Sequence, residues 1–211
     1  MASTRISGGR LGPRKLPQQP RSQATVEAIL QGAAQVFERH GYAAGTTNRI
    51  AQRAGVSIGT LYQYFPNKDA VLVALASEHL AEGTAKLRPH LRRLSDGASF
   101  DEVLPDVVQA MVELHALAPR LHRVLFEETP LPKAFRVELD TIEDHLVEVV
   151  AGALARNAHG SPVESRLRAR LAIGAIEGLT HRIVLRPPAE ATSAQLAEEI
   201  TRLVRRYLDG D

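Results

Sequence analysis

Gly55-Val56-Ser57-Ile58-Gly59 has the spacing G-x-S-x-G. In that pattern a sharp strand-to-helix turn can lift a serine hydroxyl into position to attack an ester or amide carbonyl. His115 and His122 stand seven residues apart with Glu127 and Glu128 nearby, donors of the kind that bind a metal ion. A further group, Ile58, Gly59, Thr60, Tyr62, Gln63 and Tyr64, suits recognition rather than bond making. Ile58 and Thr60 can touch a thymine methyl, and Gln63 can pair with N6 and N7 of adenine. Gly59 lets a backbone approach closely, and the phenols of Tyr62 and Tyr64 can reach phosphates or bases.

Context decides among these chemistries. A nucleophile elbow needs a strand before it and an oxyanion loop elsewhere, whereas a helical pattern precedes Gly55 and no strands are predicted. Pro119 interrupts the helix between the two histidines, and the chain has no HExxH, no cysteine and no phosphate-binding glycine loop. The histidines therefore read as packed or half-exposed, and the chain as a non-enzyme with no cofactor and no metal. The recognition residues fare better. Ile50 and Ala51 give one short helix an apolar face, and Ala54 permits a close helix crossing. Gly55 ends that helix where a left-handed backbone angle is needed. Val56 plugs the small core, and Ser57 caps the next helix. Leu61 and Phe65, four apart, make the buried stripe of that second helix, which leaves Ile58, Gly59, Thr60, Tyr62, Gln63 and Tyr64 facing outward. The pattern predicts a helix-turn-helix whose second helix enters a DNA major groove.

From Thr46 to Lys68 the chain reads T-T-x-x-I-A-x-x-A-G-V-S-x-G-T-L-Y-x-Y-F-x-x-K. This resembles the DNA-binding motif of TetR-family transcriptional regulators, and a weaker likeness runs back through Val26 to Tyr42. The resemblance implies an all-α, two-part plan: three helices for DNA, then a helical bundle for ligand binding and dimerisation. The DNA-facing set is Thr46, Thr47, Arg49, Ser57, Ile58, Gly59, Thr60, Tyr62, Gln63, Tyr64 and Lys68. Thr47 can cap its helix and reach a phosphate. The family match makes Lys68 a phosphate clamp. The reading helix carries no Arg or Lys, so a bidentate guanine contact must come from Arg49 or the N-terminal arm.

Charge supports a polyanion partner at one end. Residues 1–68 carry a net +7 and residues 69–211 a net −5, within an overall +2. Residues 1–22 form a basic, Gly- and Pro-rich arm expected to be disordered and able to lie along DNA. Residues 23–68 are the DNA-binding domain and 69–211 the regulatory and dimerisation domain. No apolar run approaches a membrane span, no signal-peptide core is evident, and there are no cysteines, so a cytoplasmic protein is expected.

Hydrophobic periodicity predicts about nine helices in total. Two capping boxes, Ser161-Pro-Val-Glu164 and Thr192-Ser-Ala-Gln195, open the last two. The resemblance places a homodimer interface on the helices at about 162–185 and 193–208, where Gly174, Ala175 and Gly178 permit close approach. It also implies a repressor released from a palindromic double-stranded DNA operator by a small, largely apolar effector. Helix faces suggest an effector pocket of Met111, His115, Phe126, Phe135, Ile142, His145 and His181. The alternatives are a constitutive or architectural DNA-binding protein without an effector, and a ligand-dependent activator.

Overall fold

The computed structural model describes residues 20–116, 119–126, 128, 131–157, 161–186, 188 and 190–209. Most of the basic arm, residues 1–19, lies outside them. Among the described residues the chain forms nine helices and no strand. They are α1 (Pro20–Ala44), α2 (Thr47–Ala54), α3 (Ile58–Tyr64), α4 (Lys68–Ser95), α5 (Phe100–Ala116), α6 (Pro119–Phe126), α7 (Lys133–Asn157), α8 (Pro162–Leu185) and α9 (Ser193–Asp209). None of the described helices is long and apolar enough to cross a membrane.

Helix α1 begins at Pro20, so Pro20 to Ser22 are helical rather than part of a disordered arm. Proline is well suited to a first helical turn, where its missing N–H has no partner to lose. Gly41 breaks the helical path as expected, with φ +70° and ψ 175°.

The chain divides into two compact units, residues 1–80 with 120–135 and residues 81–119 with 136–211. The first unit buries Ile29, Leu30, Ala33, Val36 and Phe37 of α1, Ile50 and Ala51 of α2, and Leu61 and Phe65 around α3. Its helix crossing depends on Gly32. A Cβ there would stand 2.9 Å from the Ala54 backbone nitrogen and 3.1 Å from the Ala54 Cβ. The sequence marks Ala54 as the small residue of this crossing, and its partner is a residue smaller still. Gly32→Val should lower stability by about 1–3 kcal/mol through overpacking. A falling thermal midpoint in circular dichroism would show it, and an unchanged one would sink the argument.

The second unit is built around α5, α8 and α9, whose core includes Phe100, Leu104, Val108, Val112, Ala172, Ile176, Ile200 and Val204. Both predicted capping boxes form. Ser161 N donates to Glu164 Oε2 at 2.7 Å and Glu164 N to Ser161 Oγ at 3.3 Å. Thr192 N donates to Gln195 Oε1 at 2.9 Å and Gln195 N to Thr192 Oγ1 at 3.2 Å. The Glu164 carboxyl is held below its usual range by hydrogen bonding from Ser161, first its backbone N–H and then its side chain. At the far end of α4, Arg156 Nη2 donates to the Leu94 carbonyl at 2.7 Å and the Ala98 carbonyl at 3.2 Å. It adds a second donor to the Leu94 carbonyl, which also accepts from Gly97 N at 3.2 Å, and it bonds the carbonyl of Ala98 in the loop after α4.

Helix α8 is apolar on two sides. Ala169, Ala172, Ile176 and Thr180 are buried, while Val163, Leu167 and Leu171 are exposed by 78, 58 and 51%. Gly174 and Gly178 are also exposed, and among the described residues a Cβ at either would meet no atom within 4 Å. Leu203 and Tyr207 are exposed large apolar residues on α9.

Candidate nucleic-acid interface

The helix-turn-helix forms from local chemistry. Thr46, extended at φ −89° and ψ 153°, is the N-cap of α2, and its Oγ1 accepts from Arg49 N at 3.3 Å. This corrects the assignment of the cap to Thr47, whose hydroxyl lies 3.1 Å from the Tyr62 hydroxyl instead. That contact ties the first turn of α2 to the outer side of α3. Gly55 ends α2 in the left-handed region at φ +68°, where a side chain would be strained although no atom crowds it. Val56 is only half-buried, so it is less of a plug than expected. Its N–H bonds the Ala51 carbonyl at 3.0 Å and completes the turn.

Ser57 is occupied as the N-cap of α3. Its Oγ accepts from Thr60 N at 2.9 Å and lies 2.8 Å from Thr60 Oγ1. The serine of the G-x-S-x-G pattern therefore starts a helix, and a helix rather than a strand precedes it. The geometry is that of a cap.

Leu61 and Phe65 turn inward and are fully buried. Ile58, Gly59, Tyr62 and Gln63 are exposed on α3, with Thr60 and Tyr64 half-exposed. Gly59 is informative because packing within the chain does not require it. Among the described residues, a Cβ there would meet only Ser57 Oγ, at an ordinary 3.7 Å. On α2, Arg49 is exposed, and its Nη1 donates to the Ala44 carbonyl at 2.8 Å. Beside it runs a groove of about 420 Å³ lined by Val36, His40, Arg49, Gln52 and Arg53.

Lys68 is placed differently from a free phosphate clamp. It is half-buried, its Nζ donates to the Tyr42 carbonyl at 3.0 Å, and it lies 3.9 Å from the centre of the Tyr42 ring. The Tyr42 hydroxyl bonds Asp69 Oδ1. Burial, followed by that hydrogen bond and the Asp69 charge, holds the Tyr42 phenol above its usual range. Tyr42, Lys68 and Asp69 thus fasten the end of α1 to the first turn of α4. Sequence reasoning missed Tyr42, since no spacing rule links it to a lysine 26 residues away. Asn67 caps α4, its Oδ1 accepting from Ala70 N at 2.9 Å.

The residues proposed for an effector pocket fall in both units. In the first, Phe135 is buried, and the half-buried Phe126 lies 4.7 Å, ring to ring, from His122. In the second, the His115 and His181 rings are 4.6 Å apart. His115 is buried, and its Nδ1 donates to the Met111 carbonyl at 2.6 Å. That bond leaves Nε2 as the acceptor of the neutral ring. Burial holds its pKa below the usual value, against the smaller opposing effect of this hydrogen bond. Met111 and Ile142 are half-buried, and His145 is exposed on α7.

Residues 29–75 match the family model of bacterial regulatory proteins of the tetR family, and residues 99–208 match that of the tetracyclin repressor-like C-terminal domain. Over 165 residues the chain is 30% identical to the nucleoid occlusion factor SlmA of Vibrio campbellii, covering 75% of this chain and 83% of that protein. FadR from Bacillus subtilis, solved in complex with stearoyl-CoA, superposes with a TM-score of 0.64 at 22% identity, covering 84% of this chain and 96% of that one. AibR, solved in complex with isovaleryl coenzyme A and operator DNA, superposes with a TM-score of 0.65 at 20% identity, covering 85% and 97%.

Proposed function

The chain belongs to the TetR family of bacterial regulatory proteins and is a DNA-binding transcriptional regulator rather than an enzyme, and on that footing we propose that it is a repressor released from a near-palindromic operator by a small, largely apolar effector. The observation that carries this reading is the outer face of α3. Ile58, Gly59, Tyr62 and Gln63 lie exposed on a helix whose opposite side is locked into the core by Leu61 and Phe65.

In this reading Gln63, Ile58 and Thr60 read bases, and Gly59 lets the α3 backbone come close to them. Thr46, Thr47 and Tyr62 reach phosphates at the N-terminus of α2, where the free N–H groups favour an anion. Arg49 adds charge at the same end. Lys68 acts by holding Tyr42 and the first turn of α4, with its positive charge still available to the DNA. Ser57 and Tyr64 shape and support α3. One recognition helix reads few bases, so two copies are needed, paired through the exposed faces of α8 and α9.

Effector binding favours the second unit, through Met111, His115, Ile142 and His181. Phe126 and Phe135 lie in the first unit, so the reading does not rest on them, and the exposed His145 is the weakest member of the set. Coenzyme A thioesters, as bound by FadR and AibR, join an apolar acyl chain to a charged nucleotide and are a more polar class to test beside simple apolar molecules. The effector releases DNA only if it binds the DNA-free conformation more tightly. A constitutive or architectural role is the second reading, favoured by the likeness to a nucleoid occlusion factor.

Selection of genomic fragments by the purified protein, followed by anisotropy titration with and without acyl-CoA, separates these outcomes. A selected palindrome released by ligand supports the repressor. A selected site indifferent to acyl-CoA favours the constitutive role, and binding without sequence preference removes the operator reading and moves the architectural one ahead. On the selected site, Gln63→Ala should flatten the preference at one position by about 1–3 kcal/mol, the usual range for a bidentate base contact. Uniform weakening across all sequences would assign Gln63 to the backbone instead.

A further inference from the structure

We propose that His79 and His122, both in the first unit, are two ligands of a site for a borderline divalent transition metal such as Zn²⁺ or Co²⁺. His79 lies on α4 and His122 on α6, and His122 Nδ1 is 3.1 Å from His79 Nε2. The ring centroids are 5.1 Å apart with the planes inclined at 55°. His122 is 4% exposed, and the Phe126 ring lies against both imidazoles, at 4.7 Å from His122 and 5.7 Å from His79.

Two imidazole nitrogens that face each other share a proton or share an ion. In tetrahedral coordination with metal–nitrogen bonds of about 2.0–2.1 Å, two ligand nitrogens sit roughly 3.3 Å apart. The observed separation is within a few tenths of an ångström of that bite. The ion replaces the proton between the rings, both lone pairs turn to it, and that proton leaves to solvent. The chain has no cysteine, which removes thiolate sites and leaves the imidazole-preferring metals: zinc, cobalt, nickel and copper(II). Sequence spacing tested His115 with His122 and found no motif. The pair that the fold brings together is 43 residues apart, on two different helices.

Co²⁺ is the probe, because tetrahedral nitrogen coordination gives it strong visible bands. Titration of the full chain, free of DNA, should give saturable bands with one ion per chain. His79→Gln and His122→Gln should each weaken binding by about tenfold or more, as loss of a direct ligand does at least as much as loss of its supporting partner. His40→Gln, at an exposed histidine of the same unit, should leave binding unchanged. X-ray absorption of the cobalt-loaded wild-type protein should count at least two imidazoles. This keeps the test valid if the buried His122 variant fails to fold. Absence of saturable binding, binding untouched in His79→Gln, or fewer than two imidazoles would overturn the site. DNA plays no part in these measurements, so their failure is separate from any failure of the operator reading.

Discussion

Gly59→Ala keeps the fold, holds or raises the thermal midpoint, and weakens operator binding by about tenfold or more. The stability half follows from α3 itself. Among the described residues a new methyl at residue 59 meets only Ser57 Oγ, at 3.7 Å, and the backbone there is helical. Alanine is favoured over glycine inside a helix by about 0.8–1 kcal/mol. The binding half follows from exposure. A residue that packing among the described residues does not require to be glycine is glycine on an exposed helix face. A methyl there holds α3 away from the base edges and lengthens hydrogen bonds that tolerate little stretch. Tenfold corresponds to about 1.4 kcal/mol, the worth of one good contact. Circular dichroism melting and fluorescence anisotropy on the selected operator measure the two halves separately. A variant that melts higher and binds as well as wild type would remove Gly59 from the interface. A variant that melts lower would mean that the glycine is structural.

Much of this interface was legible in the sequence because its causes are local. Gly55 at positive φ, the Ser57 cap and the Leu61–Phe65 stripe each depend on residues within a turn or two of one another. The two capping boxes were legible for the same reason. What escaped depends on residues distant in the chain. Gly32 has no meaning until α1 crosses α2 at Ala54. Lys68 looks like a surface cation until Tyr42 arrives from the end of α1 to engage it. The neighbouring threonines show a finer limit. Thr46 and Thr47 are equally good capping residues, and only the chain path decides that Thr46 takes the cap while Thr47 meets Tyr62. The pocket set was the least legible, because a helix face reports burial but not what lies opposite. His145 turned out exposed and His115 buried, although both sit on strongly helical segments.

Leu167→Glu combined with Leu171→Glu converts the protein to a folded monomer and lowers affinity for the full operator by about two to four orders of magnitude. Both leucines lie on the exposed side of α8, in line with Val163, and Gly174 and Gly178 follow Leu171 by about one and two turns. The inward side of the helix, Ala169, Ala172 and Ile176, is untouched by the change. A glutamate in water at these positions costs a monomer little. Paired against a second copy it must be desolvated beside its own symmetry mate, and each such unpaired charge costs several kcal/mol. The loss in DNA binding is larger than any contact-residue loss because it removes a second half-site. Linking two reading heads raises affinity about 10²–10⁴-fold without any new contact to the bases. Sedimentation velocity gives the oligomeric state, and anisotropy on whole and half operators gives the binding. A variant that stays dimeric moves the interface off this face. A monomer that still binds the whole operator as tightly as wild type would show that a single head suffices, and the palindromic reading would then fall although the α8 face would stand as the dimer interface of the wild type.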